Sequence, residues 1–558
     1  MVNPQFGALY AVDDLNRYLP DERDVGKLRP ERYVGCFYFP LHGSGKRPTG
    51  EPLNLTETAR THPEAFRDYD DPIWGRGWLY WGEPLFGYYF TDDRWVLRRH
   101  VKMLTMAGVD FLIFDTTNRL TFRNEVGCLL EVLEEYRKAG WPVPKIVYYT
   151  NTKSGETVQE IWKDLYKPGL YRKLWFQWEG KPLIIADPAE CTKEQRDFFT
   201  FRLPQWPTEE KKQDGFPWID FERPQRVWKN KAGENEIVPV SVAQHPNLSF
   251  GDGAFYGDPR PRGRAWHGCG NDKTEEAVEY GYNVAEQWDR AIELDPKIVF
   301  FTGWNEWIVG HIRGEEDRPL LFVDQADQEY SRDAEPMRGG HFDSYYMQMC
   351  QYIRRYKGAP PVPKPAAKRT IDVDGGFEQW KAVPAYDVMP FGTIPREAEG
   401  HGGVIYRDST GRNEFECVKT AHDDRYVMFY ARTREKMNFN MFTQWMNLYI
   451  GVVGQHRLPN WHGYRYAANL VMLDGNTTFL QTSLGGYRFG KNTRARIKTS
   501  DREVMIRVPR SYLGIEKGGF ELFFKWADHT GAGETISDFY LHGDAAPYGR
   551  FAFLYSGK

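Results

Sequence analysis

Apolar residues along this chain fall into two textures. Up to about residue 302 they come as short unbroken runs ending in polar or turn residues. Tyr33–Pro40 (YVGCFYFP), Val109–Asp115 (VDFLIFD), Lys145–Asn151 (KIVYYTN) and Pro182–Asp187 (PLIIAD) are four of them. Phe198–Leu203, Phe216–Phe221, Ile237–Ala243 and Ile298–Thr302 are the others, with the fifth and sixth the least regular. Runs of this length without polar alternation read as parallel strands buried on both faces. Trp95–Ala107, Asn124–Ala139 and Thr274–Leu294 lie between runs and repeat apolar residues at three and four, as helices do. Eight strands alternating with helices predict an α/β chain whose N-terminal part is a (β/α)8 TIM barrel, with room for irregularity at the two weaker strands.

A last barrel helix is expected at Ser344–Tyr356, followed by the proline-rich stretch Lys357–Lys368. Prolines at that density make a semi-rigid spacer. Beyond it the runs Tyr426–Ala431, Asn447–Val453, Tyr466–Leu473, Glu503–Val508 and Phe520–Trp526 are separated by Gly, Asn and Asp rather than by helices. That spacing predicts an antiparallel β-sandwich. The expected organisation is a barrel over 1–356, a linker over 357–369 and a β-sandwich over 370–558.

Composition narrows the function. With 73 basic and 77 acidic residues the formal net charge is −4, so no basic excess exists to neutralise phosphates and nucleic acid is excluded as the expected partner. Aromatic residues make up 16% of the chain, including 19 Trp and 33 Tyr, whose polar atoms suit wet clefts and tilt the reading toward carbohydrate. No stretch reaches the ~18 apolar residues of a membrane span. Residues 1–14 lack a basic start followed by an apolar core, so a secreted or periplasmic protein would have lost its signal, with the cytoplasm as the alternative. Cys36, Cys128, Cys191, Cys269, Cys350 and Cys417 show no metal-binding spacing.

The chemistry concentrates at Lys297–Trp307, KIVFFTGWNEW. The strand stops at Gly303 and presents Trp304, Asn305, Glu306 and Trp307, at the end of a strand where barrel enzymes carry their active sites. Indole faces stack on sugar rings, Asn305 suits a hydroxyl, and Glu306 suits proton transfer. The competing reading is a strand end closed by tryptophans over a salt-bridged Glu.

Hydrolysis of a glycoside needs a second carboxyl group. Asp115, closing the second strand, is the preferred partner, with helix capping as its structural alternative. Glu222 is the next candidate and Asp220, on the same face of an extended strand, a further one. Asp92-Asp93 reads as a helix N-cap and Asp187 as the start of a turn. Trp74, Asn118, Tyr149, Asn151, Gln244 and His245 are expected to line the substrate. His245 lacks a second His at ligand spacing, so no metal and no cofactor are expected.

On Ile371–Trp380 (IDVDGGFEQW), Met446–Ile450, Trp461–Tyr464 and the Gly543–Arg550 ending, the C-terminal part resembles family 9-type carbohydrate-binding modules. Trp445, Trp461 and Trp526 are then either sugar platforms or core. On Trp304-Asn-Glu-Trp307 and strand order, the N-terminal part resembles family 99 endo-mannosidases at a distance. That resemblance implies a glycoside hydrolase barrel in which Glu306 is catalytic. In the family a second catalytic Glu follows three residues after the first, and here that position is Val309. Two readings stand: a glycoside hydrolase acting on an oligo- or polysaccharide, or a non-catalytic glycan-binding protein built on the same barrel.

Overall fold

The computed structural model describes residues 4–45, 47–48, 50–244, 255–257, 260–439, 444–531 and 535–558. Two compact units result. One comprises 29–358 and 398–406; the other comprises the residues up to 28, 359–397 and 407–558.

The first unit is a mixed α/β fold around a nearly closed, barrel-like parallel sheet. Its strands are β1 (Tyr33–Tyr38), β2 (Phe111–Thr116), β3 (Lys145–Thr150), β4 (Lys181–Ile185), β5 (Thr200–Gln205), β6 (Gly215–Pro217), β7 (Asn235–Ser241) and β8 (Ile298–Thr302). Each pairs in parallel with the next from β1 to β6, β7 pairs with β8, and β8 returns to β1. The path ends at β6 on one side and, past β7, at the short antiparallel strand Trp228–Lys229 on the other. The seam between β6 and β7 is therefore open.

The irregular strands explain this gap. Phe216–Phe221 was expected as a strand, but only Gly215–Pro217 pairs, because Asp220 turns the chain by accepting from the Arg226 backbone N–H (2.7 Å) and from Arg226 Nε (2.9 Å). Neither β5–β6 nor β6–β7 is bridged by an α-helix. Alternate residues of the strands fill the interior: Phe37, Phe111 and Ile113, Val147 and Tyr149, Leu183 and Ile185, Ile237, Ile298 and Phe300 form one cluster. The intervening residues face the helices, which is why these strands read as unbroken apolar runs.

Helices lie along the chain where the sequence predicted them, and two unexpected short ones, Ser154–Ile161 and Lys193–Phe198, join them. Helix α1 (Arg94–Ala107) begins under the Asp93 carboxylate, which accepts from the backbone N–H of Trp95 (3.0 Å), as a capping Asp does. Next come α2 (Arg123–Lys138), α3 (Ser154–Ile161) and α4 (Lys193–Phe198). The expected Thr274–Leu294 helix is broken into Ala277–Tyr280 and α5 (Tyr282–Leu294) at Gly281, whose φ of 64° ends the first piece. Helix α6 (Ser344–Lys357) closes the set. After β8 the chain makes the hairpin β9 (Ile308–Glu315) and β10 (Arg318–Val323), which the strand count had not included.

The second unit is a twelve-stranded antiparallel sheet, eleven strands following one path and the short strand Asp544–Ala546 pairing beside it. Phe429 meets Phe524 at 5.3 Å although their strands lie far apart along that path, so the sheet folds over on itself. The opening motif packs inside: Ile371, Val373 and Trp380 join Met428, Tyr430 and Met505 in one cluster. Trp445, Trp461 and Trp526 are all buried, with 3%, 3% and 0% exposure, and serve as core.

The division differs from contiguous boundaries at 356 and 370. Leu9–Tyr10 pairs with the last strand, Ala552–Gly557, and Arg550 grips Asp14 at 2.7 Å, which ties the N-terminal segment to the C-terminal unit. Nor is 357–369 a free linker: Ala366 donates its backbone N–H to Ser556 (2.8 Å) alongside that same strand. Among the described residues no helix is long and apolar enough to cross a membrane.

Candidate active site

At the C-terminal end of β8 the chain turns at Gly303 and runs beside the segment Arg332–Glu335. Gly303 N–H donates to the Arg332 carbonyl (3.2 Å), Ala334 N–H to Gly303 (3.2 Å) and Glu335 N–H to Trp304 (2.9 Å). A side chain at 303 would not fit, since a Cβ there would lie 2.9 Å from Asp333 Oδ1 and 3.0 Å from the Phe39 ring. This close pairing sets three polar residues, Arg332, Asp333 and Glu335, against the Asn305-Glu306-Trp307 turn.

Glu306 sits at the centre with 8% exposure. Its backbone N–H donates to Asp333 Oδ1 (2.8 Å). Its carboxylate Oε2 accepts from Gln325 Nε2 (2.7 Å) and Arg332 Nη2 (2.5 Å). Among the described residues Oε1 takes no hydrogen bond, so it is the oxygen left for a proton. Burial drives the Glu306 carboxyl up to about 8; the Arg332 charge opposes this, and Asp324 and Asp333 add to it. Burial likewise lifts Asp333 to about 6. Three carboxyl groups share the buried Arg332, whose Nη2 also lies 3.9 Å from Asp324 Oδ1. Burial raises Asp324 too, while Arg332 pulls it back and Asp115 pushes it further.

Trp218 extends the cluster. Arg332 lies over its ring at 4.8 Å, its Nε1 donates to Asp115 Oδ2 (3.0 Å), and it stacks on half-buried Trp206 at 4.6 Å. Asp115 Oδ1 accepts from the Thr117 backbone N–H (2.9 Å) and hydroxyl (2.6 Å). The two carboxylates first expected to work together, Glu306 and Asp115, are thus joined through Arg332 and Trp218.

Behind this layer lies a wholly buried network. Glu335 accepts from Tyr89 Oη (2.8 Å) and Trp307 Nε1 (2.6 Å), and its other oxygen meets His100 Nε2 at 2.9 Å. Asn305 Oδ1 accepts from the Phe39 backbone N–H (2.9 Å), tying the turn to the end of β1. Trp307 stacks on Trp81 at 4.1 Å.

Several expected sugar contacts are therefore corrected. Trp304, Asn305 and Trp307 each have 0% exposure: after Gly303 the chain leaves the sheet, and these side chains are driven inward. Tyr149 is fully buried and donates to the Phe216 carbonyl (2.7 Å) across the barrel interior. Trp74 is buried and donates to the Asp68 carbonyl (2.8 Å), holding its own loop. Gln244 is spent on the carbonyls of Asp220 (3.0 Å) and Glu222 (2.5 Å). Glu222 itself is exposed, and among the described residues no hydrogen bond ties its carboxylate to the Glu306 cluster. Asp220 is committed to Arg226. Asn118 is exposed and Asn151 half-buried, just past the ends of β2 and β3. His245 lies outside the described residues. Val309 is buried in the pairing of β9 with Leu79.

Residues not anticipated are Trp206, Trp218, Asp324, Gln325, Arg332 and Asp333. Trp206 follows a recognised strand, and Trp218 lies within the expected run Phe216–Phe221, just past the part that pairs. The other four follow an antiparallel hairpin, away from any barrel strand end, and carried no periodic signal.

No family model matches the chain, and no curated protein does. Among solved structures it is similar to the GH99 endo-α-mannosidase from Bacteroides thetaiotaomicron, at 17% identity over 60% of this chain and 100% of that one, with a TM-score of 0.35. The same enzyme in complex with bis-tris propane gives 16% identity, 59% and 98% coverage and a TM-score of 0.34. A glycoside hydrolase-like protein gives 11% identity, 59% and 95% coverage and a TM-score of 0.31.

Proposed function

We propose that this protein is a glycoside hydrolase whose general acid is Glu306, acting on an oligo- or polysaccharide with a second carboxylate of the Arg332 cluster. In this reading the first unit is a (β/α)8 barrel with an open seam and the second a β-sandwich appended to it. The observation that carries the proposal is the state of Glu306. Its carboxyl is pushed up to about 8, so it holds a proton at neutral pH, and both hydrogen bonds it accepts, from Gln325 and Arg332, fall on Oε2. The proton then sits on Oε1, the oxygen with no protein partner among the described residues. A general acid needs that combination: protonated at working pH, and with the proton facing the reactant.

Around it stand the other groups the reaction uses. Arg332 steadies the charge left on Glu306 after proton donation, and half-buried Trp206 offers an indole beside the cluster on which a pyranose can stack. A second reading, a glycan-binding protein without turnover, is favoured by one observation, the hydrocarbon at Val309 where the resembled family has an acid.

One substitution separates the two readings. Glu306→Gln keeps size and the acceptor for Arg332 but cannot deliver a proton. Removing a general acid costs ~10²–10⁴ in rate. Release of sugar from aryl glycosides and oligosaccharides, measured for both proteins, is expected in the parent and lost in the variant at an unchanged melting temperature. Turnover above a tenth of the parent's rules Glu306 out as the acid; binding without release in the parent supports the second reading.

A further inference from the structure

We infer that Asp324 is the second catalytic carboxylate, the nucleophile that attacks the anomeric carbon while Glu306 protonates the departing oxygen. The inference rests on the glycosidase reading and adds the partner that reading leaves open.

Three observations place Asp324 in that role. The first is distance. Arg332 Nη2 lies 2.5 Å from Glu306 Oε2 and 3.9 Å from Asp324 Oδ1, so the two oxygens are no more than ~6.4 Å apart. That bound accommodates the ~5–5.5 Å of a retaining pair. The second is accessibility. The Asp324 side chain is 28% exposed while that of Arg332 is 3% exposed. Asp324 therefore meets solvent where its neighbours do not.

The third observation is the backbone. Gln325 N–H donates to the Val323 carbonyl at 2.7 Å, closing a three-residue turn with Asp324 at its centre and a φ of 64°. A γ-turn of positive central φ is rare and strained. Here it does two things at once. It ends β10 abruptly, and it aims Gln325 Nε2 at Glu306 Oε2 while leaving the preceding carboxylate beside the same guanidinium. Strain of this kind persists where the surroundings hold it in place. Gln325 Oε1 supplies that hold by accepting from the Arg332 backbone N–H (2.8 Å).

Asp115 has less freedom for the role. Its Oδ1 takes two bonds from Thr117 and its Oδ2 takes the Trp218 indole, so both oxygens are engaged. Its negative charge raises Asp324, which sharpens that carboxylate's basicity.

The bonds balance as follows. An Asp324 oxygen forms a bond to the anomeric carbon as the glycosidic C–O bond breaks, and the proton on Glu306 passes to the departing oxygen. The leaving sugar departs as an alcohol, and the remaining glycosyl group is held as an ester on Asp324. Water then attacks the same carbon, gives its proton to Glu306, and Asp324 leaves as a carboxylate. One glycosidic bond and one water are consumed, and anomeric configuration is retained.

The test uses the full chain with 2,4-dinitrophenyl mono- and disaccharide glycosides. Asp324→Asn and Asp324→Gly are both made, because Asn and Gly tolerate a positive φ and keep the turn. Asp115→Gly is the comparison. We expect the parent to retain anomeric configuration by NMR and both Asp324 variants to lose at least ~10²-fold in rate. Sodium azide should restore release in Asp324→Gly and yield a glycosyl azide of inverted configuration. Azide rescue of Asp115→Gly instead, or inversion by the parent, overturns Asp324 while leaving the glycosidase reading intact. A parent that releases no sugar from any of these substrates overturns both.

Discussion

Replacing Arg332 with Met is the most telling perturbation of the cluster, because its cost must change with pH. The guanidinium is buried, bonds Glu306 at 2.5 Å, lies 3.9 Å from Asp324 and stacks on Trp218 at 4.8 Å. Removing one partner of a buried ion pair costs ~3–5 kcal/mol when the other charge is left behind. Whether a charge is left behind depends on Glu306 and Asp333, whose folded pKa values of about 8 and about 6 lie above those of free carboxyls.

A carboxyl raised on folding binds more protons in the folded state than in the unfolded one. Its contribution to stability is full below its unfolded pKa and is lost as pH rises through the folded value. At pH 9 both groups are ionised, Arg332 is their cation, and Arg332→Met should show the whole ~3–5 kcal/mol. At pH 5 both are protonated, and only lost hydrogen bonds of ~1–3 kcal/mol remain. At roughly 2 °C per kcal/mol for a unit of this size, the melting temperature should fall by ~6–10 °C at pH 9 and by the smaller ~2–6 °C at pH 5. Calorimetry of parent and variant at the two pH values measures it. An equal loss at both pH values, or a larger one in acid, refutes the assignment of protons to this cluster.

Two further outcomes follow from the same geometry. The basic limb of kcat/KM on an aryl glycoside should fall near pH 8, since Glu306 must be protonated to act, and a limb unmoved by Arg332→Lys would assign that titration to another group. Gly303→Ala should cost ~1–3 kcal/mol and lower activity, because the new methyl meets Asp333 Oδ1 at 2.9 Å and the Phe39 ring at 3.0 Å; a neutral effect on melting temperature would show that the turn has slack.

How far the sequence spoke for itself differs from element to element. Strand β8, Ile298–Thr302, was legible to the residue because it is an unbroken apolar run stopped by glycine. The parallel order was legible for the same reason. The strand expected at Phe216–Phe221 was cut short by a side chain, Asp220, folding onto Arg226, and no periodicity announces such a bond. At the site, the placement of Glu306 just past a strand end could be read from the apolar run before it. The direction of its neighbours could not: beyond Gly303 the alternation of a strand no longer applies, and both tryptophans point inward. Asp324 carried no such signal, because it lies at no strand end of the parallel sheet and is delivered by a hairpin whose turn is fixed by backbone geometry.

The pairing of Leu9–Tyr10 with the last strand has a consequence for how the protein is made. Its two partners are separated by nearly the whole chain. At ribosomal rates of ~5–20 residues per second, the first strand waits on the order of half a minute to two minutes before its neighbour exists. Residues 29–358 have everything their own sheet requires well before then. Leu9–Tyr10 is thus satisfied long after it is synthesised, and a translation product interrupted before the last strand would carry it unpaired, a natural handle for chaperones.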